Sequence, residues 1–201
     1  MASRVQLFGN LQFTWEGKPV TTISTNRLQS LLAFLILRTE APQSREQVAS
    51  LLWPESDESQ ARTNLRQLLH HLRRALPASC CLLICDNHTL QWQRAPDCAV
   101  DVHEFDRALK EAADASRRGN TAPECAALRV AEDLYQDELA RGLYDEWLTP
   151  LRDQYQQQFG YVTYWGDWRP CPNSRAILIP RFVMPSGWWP KILCARHIIN
   201  C

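Results

Sequence analysis

Near the N-terminus, Val5, Leu7, Leu11 and Phe13 alternate with Gln6, Asn10 and Gln12, and the chain then reaches the turn residues Glu16, Gly17, Lys18 and Pro19. A period of two buries one face of a strand, so the chain is expected to open on a small antiparallel hairpin. The period then lengthens. Leu28, Leu31, Leu32 and Leu35 recur at helical spacing, Ser24, Thr25 or Asn26 can cap the start, and Pro42 blocks any continuation. Ser44 and Gln47 stand at capping-box spacing before Val48, Leu51 and Leu52, a short second helix stopped by Trp53-Pro54. A third helix is predicted over 59–76, after an acidic, hydroxyl-rich lead-in and before Pro77. Its Leu65, Leu68, Leu69, Leu72 and Leu76 form one apolar stripe. Two strand-like runs around Asp86-Asn87 follow, with the turn chemistry of a hairpin.

From Asp97 onward the period is helical. Asp101 and Glu104 have capping-box spacing at the head of a helix carrying Val102, Phe105, Leu109 and Ala112, and Gly119 stands where a C-cap glycine belongs. Thr121 and Pro123 open a second helix with Leu128, Ala131 and Leu134 inward, and a third is expected near Tyr144 with Trp147, Leu148, Leu151 and Tyr155 as core. Antiparallel helix pairs of this length are the unit of helical repeats, which need several copies to bury a core. The predicted class is mainly α with small β hairpins: a winged helix-turn-helix over 1–95, then an incomplete TPR-like helical module over 97–159.

The third helix carries the candidate chemistry. At about 100° per residue, Thr63, Gln67, His70 and Arg74 point away from the leucine stripe while Arg66 and Arg73 flank it. From Ser59 through Cys85 there is no acidic residue. Acids on the outer face would penalise an approach to phosphates, and in a winged helix the last helix enters the major groove, where Arg and Gln can read base edges. The expected function is therefore sequence-specific reading of double-stranded DNA by a transcription regulator, through Arg62, Thr63, Arg66, Gln67, His70, Arg73 and Arg74. Thr63, Gln67, His70 and Arg74 would face bases, and Arg66 and Arg73 phosphates. His88 and Arg94 on the wing are weaker candidates. The plain reading of the same helix is a solvated cationic face, and the alternative function is a helical protein-interaction module whose winged helix docks protein rather than DNA.

Charge supports the first reading. The formal net charge is zero, yet bases outnumber acids from Met1 to Ala95 and acids outnumber bases two to one from Pro96 to Phe159. That segregation suggests a basic binding module joined to an acidic interaction module. No apolar run approaches the roughly 20 residues of a membrane span, and the N-terminus lacks the basic and apolar regions of an export signal, so a cytoplasmic protein is expected. The eight cysteines are then expected as thiols, with Cys80, Cys81, Cys98 and Cys125 as small apolar fillers. His70, His71, Cys81, Cys85 and His88 match no strong zinc spacing, and no nucleophile elbow or carboxylate pair suggests an enzyme. No cofactor is implied.

The stretches "LFGNLQF", "RLQSLLAFLIL", "SREQVASLLWPE" and "ARTNLRQLLHHLRRALP" resemble the OmpR-type winged helix of the antibiotic regulatory protein (SARP) family of bacterial transcription activators. "DVHEFDRAL" and "YDEWLTPLRDQY" resemble the bacterial transcriptional activator domain that follows it, a TPR-like helical module. The resemblance spans about residues 4 to 159. It implies transcription activation from repeated sites near promoters, with the helical module contacting transcription machinery or a second copy. Many relatives carry a large ATPase or repeat region downstream. This chain has no glycine-rich phosphate loop, so no nucleotide function carries over. After Phe159 the amphipathic pattern stops, and residues 160–201 hold Trp165, Trp168, Trp188, Trp189, five prolines and a single acid, Asp167. This tail is expected to be unstructured or translated in a shifted frame, the alternative being a genuine aromatic, basic tail. The other two frames of the coding DNA decide the matter, by encoding or lacking a continuation of amphipathic helices.

Overall fold

A computed structural model describes residues 3–77, 80–95 and 97–168. The alternating start forms β1 (Ser3–Gln6) and β2 (Gln12–Trp15), antiparallel with Val5 opposite Phe13. A two-residue turn leads into β3 (Lys18–Pro19), with Trp15 opposite Lys18. Both turn residues have positive φ, Glu16 at 50° and Gly17 at 77°, the twist that suits a tight hairpin and that glycine adopts without steric cost. α1 (Asn26–Leu37) is capped by Thr25, whose hydroxyl accepts from the Leu28 amide. It is buried on most of its surface, with Leu31, Leu32, Leu35 and Ile36 fully enclosed.

β4 (Gln43–Ser44) precedes α2 (Arg45–Leu52), and α3 (Glu58–Ala75) follows after a short turn. β5 (Leu83–Cys85) and β6 (Thr89–Trp92) make the second hairpin, and β4 pairs with β6 to give a three-stranded sheet in the order β4-β6-β5. Three helices with this sheet behind them are a winged helix. Ser44 stands at the head of α2 but its side chain makes no cap bond, so the expected capping box is not formed there.

β7 (Cys98–Val100) runs parallel beside β1 and completes a four-stranded sheet, β3-β2-β1-β7. α4 (Asp101–Arg117) and α5 (Thr121–Leu134) pack as an antiparallel pair, followed by a 3-10 turn at Glu146–Leu148 and α6 (Thr149–Trp168). The predicted glycine stop is present: Gly119 has φ +70°, its amide donates to the Ser116 carbonyl and that of Asn120 to Ala115. Asp101, by contrast, does not cap α4 with Glu104. Its carboxylate accepts from the amides of Leu7 and Phe8 at 2.8 Å each, and from Val102.

The described residues fall within one compact unit, and the winged helix and the helices that follow it share one continuous core. Phe8, at the end of β1, packs against Phe105, Tyr135 and Tyr155 with ring centroids 5.3, 4.8 and 5.6 Å away. Phe34 of α1 meets Trp147 edge-on at 5.3 Å. The segment before the 3-10 turn lies along β1's extension, where the Ala140 amide donates to the Leu7 carbonyl at 2.7 Å. Arg152 holds that segment by donating to the carbonyls of Leu139, Ala140 and Leu143. The expected helix start near Tyr144 is therefore displaced to Thr149, because these backbone groups are spent on β1 and Arg152.

The expected break at Phe159 is corrected. α6 runs on to Trp168, and Val162, seven residues after the buried Tyr155, continues its inner stripe at 2 % exposure. Gly160 weakens a helix without ending it, and the first proline comes only at position 170. Residues 160–168 thus leave the tail and join the helical part, while the remainder of the tail expectation lies outside the described residues. Cys80, Cys81, Cys85 and Cys98 are free thiols, whereas Cys125 is disulfide-bonded and departs from the expectation. No described helix is long and apolar enough to cross a membrane.

Candidate nucleic-acid interface

α3 begins at Asp57, whose carboxylate accepts from the Gln60 amide at 2.9 Å, so an acid sits at the helix's positive end and stays off its outer face. Ala61, Leu65, Leu68, Leu69 and Leu72 are buried against α1 and α2. At the far end the Thr22 hydroxyl donates to the Ala75 carbonyl at 2.5 Å. A helix fixed along one stripe and at both ends can present its other side in a constant orientation.

All seven residues predicted to touch DNA are exposed. Arg66, Arg73 and Arg74 have no ion-pair partner among the described residues, so their charge is available to an anion. Thr63 donates its hydroxyl to the Ser59 carbonyl, which leaves its oxygen as an acceptor and its methyl for apolar contact. Arg62 departs from the expectation. Its guanidinium bonds Glu46 of α2 at 2.7 Å and also Glu58, one turn back on α3. The acid-free stretch of α3 is met here by acids from outside it.

The wing turn is built by Asp86, whose carboxylate accepts from the Thr89 hydroxyl and from the amides of His88 and Thr89. Those bonds, the Thr89 hydroxyl first, hold its pKa at about 2. A group with a depressed pKa contributes stability above its unfolded value and loses it as pH falls through the folded one. A carbon-detected NMR titration should therefore find the Asp86 carboxylate still charged at pH about 3, where a free aspartate is mostly protonated; an ordinary midpoint would contradict the turn geometry.

A groove of about 500 Å³ lies between the start of α2, α3 and the wing turn, with Leu65 at its base and Arg45, Arg66, Asn87 and His88 along its sides. Arg45 fixes the turn to α2: its amide donates to the His88 carbonyl at 2.9 Å and its guanidinium to the Asp86 carbonyl at 2.8 Å. Sequence reasoning missed Arg45, since nothing local to α2 reveals a partner 41 residues away. Arg94, the weaker wing candidate, pairs with Glu40 and donates to Thr39. His70 and His71 have ring centroids 5.9 Å apart, and among the described residues no cluster of three or more ligating side chains could hold a metal ion.

No family model matches the chain, and no curated protein matches it. Among solved structures it is similar to Mycobacterium tuberculosis EmbR, determined in complex with a low-affinity phosphopeptide, with a TM-score of 0.69 and 19 % identity over 82 % of this chain. The chain spans 44 % of EmbR's length. The likeness shows the fold, a winged helix continued by helices within one mainly helical body with small β hairpins.

Proposed function

We propose that the chain is a sequence-specific DNA-binding transcription regulator that presents α3 to the major groove. The observation that carries this reading is the guanidinium set of Arg66, Arg73 and Arg74, without ion-pair partners among the described residues, on the exposed side of a helix anchored along its other side. These three arginines stand beside the hydrogen-bonding groups Thr63, Gln67 and His70. Arg66 and Arg73 neutralise phosphates and supply affinity; Thr63, Gln67, His70 and Arg74 meet base edges and supply preference. The wing adds a backbone contact through His88. The resemblance to activators of the SARP family, and the likeness to EmbR in fold, agree with regulation of transcription, the helical part contacting transcription machinery or a second copy. Arg62, named with the DNA-facing residues, is instead engaged by Glu46 and Glu58.

The test is fluorescence anisotropy of the full chain with random duplex DNA across salt concentrations. Affinity should fall steeply with salt, and Arg66→Ala should lower the slope of log affinity against log salt by roughly one. Arg74→Ala should relax preference at one base pair of a selected site, with a change of about 1–3 kcal/mol in discrimination there. No binding at low salt would remove the DNA reading and leave protein docking as the use of this face.

A further inference from the structure

The cluster that takes Arg62 out of service borders the groove and lies on the face that would meet DNA. Glu46, Arg62 and Glu58 are all more than half exposed, at 61, 55 and 60 %. Two carboxylates on one guanidinium leave the cluster with a net charge of −1. One turn further along α3, Arg66 carries a positive charge with no ion-pair partner among the described residues. The arginine flank of the helix is therefore split, negative at its N-terminal end and positive beyond it.

Stability does not account for the arrangement, because exposed ion pairs contribute little to a fold. Its consequence at the surface is different. The Debye length is about 8 Å at physiological ionic strength, so a phosphate drawn into the groove would still feel part of the cluster's charge, more so at low salt. A duplex approaching in any register meets this repulsion, whatever its sequence. Contacts from Gln67, His70 and Arg74 on the outer face keep their full value only in the correct register. The cluster therefore lowers the sequence-independent part of the attraction, and with it the occupancy of the many competing sites, without touching the base-reading groups.

We infer that Glu46 and Glu58 restrain sequence-independent DNA affinity by holding Arg62 off the phosphates. The inference rests on the DNA-binding reading of α3. It predicts that removing an acid strengthens binding, the reverse of what loss of a contact residue does.

The experiment compares the full-length chain with Glu46→Gln, Glu58→Gln and the double variant, by anisotropy on random duplex at several salt concentrations, with circular dichroism melts to show that each is folded. Each single substitution brings the cluster to neutrality and should tighten binding by about threefold without a new contact. The double variant frees Arg62 and should tighten binding about tenfold, with a salt slope steeper by roughly one. Adding Arg62→Ala to the double variant should return the slope to the wild-type value. If the wild type binds and the double variant binds no better, the inference is overturned while the DNA reading stands. Binding by the double variant alone supports the restraint in its strongest form. If neither binds, the DNA reading fails and takes the inference with it.

Discussion

Phe8→Ala should destabilise the protein by about 3–5 kcal/mol, a large share of the 5–15 kcal/mol that holds a typical domain together. Phe8 is completely buried, and three aromatic rings from the helical part lie around it. Truncation to alanine forfeits the transfer free energy of the ring and leaves a cavity between β1, α4 and α6. Those walls are themselves aromatic, and the backbone on either side of Phe8 is tied by Leu7 and Gly9 to residues 138–141, so the site collapses poorly to fill it. The distinctive expectation is cooperativity. Denaturant unfolding followed by tryptophan fluorescence, which reports on the whole chain, and by exchange of the α3 amides should shift together, because one core serves the winged helix and the helices behind it. Loss of α4–α6 structure with α3 unmoved would show two independent domains after all. For the same reason a fragment ending at residue 95 would strip the cover from Phe8 and Phe34 and is a poor vehicle for testing DNA binding.

Much of the architecture is legible in the sequence because the elements that define it carry local signals. The strand alternation at Val5 to Phe13, the leucine stripe of α3, the Asp86-Asn87 turn and Gly119 each encode their geometry within a few residues, and the structure places each as expected. What the sequence hides is non-local. β7 is three residues long and pairs with a strand nearly a hundred residues earlier, so nothing near it announces that the two parts share a sheet. The segment around Leu139 reads as the approach to a helix, but its carbonyls go to Arg152 and its amides to β1. The candidate site divides in the same way. Exposure of the seven residues follows from the period of one helix, whereas the capture of Arg62 depends on Glu46 arriving from α2, and the role of Arg45 on the wing returning to it. At Phe159 the aromatic residues and the glycine suggest a break by composition, while the spacing from Tyr155 to Val162 keeps the helix going.

Asp101→Ala should be the most damaging single polar substitution, at a loss of about 2–5 kcal/mol, because it leaves two buried amides, those of Leu7 and Phe8, without acceptors at about 1–3 kcal/mol each. The side chain is 2 % exposed, and one of its oxygens takes both bonds at 2.8 Å while the other accepts from Val102. Just here β1 ends and the chain turns toward the residues that pack on α4, so the carboxylate substitutes for the ladder partner that a continuing strand would have supplied. Asp101→Asn separates the acceptor role from the charge. Its single carbonyl oxygen can keep both amide bonds, but its amino group would face the Val102 donor, so a loss of about half that of alanine is expected. Burial raises the Asp101 pKa, and the amides of Phe8, Leu7 and Val102 and the charge of Arg4 offset that only in part. A raised carboxyl pKa means that the folded state binds the proton more readily than the unfolded chain. The carboxyl's contribution is then full below the unfolded value of about 3.9 and shrinks as pH rises through the folded one. Urea titrations of wild type and Asp101→Asn at intervals from about pH 4 to pH 7 should therefore show the gap between them narrowing as pH rises. A gap that widens instead would mean that the three amides, and not desolvation, govern the carboxylate, and a gap of zero at every pH would show that the two halves of the core are joined without it.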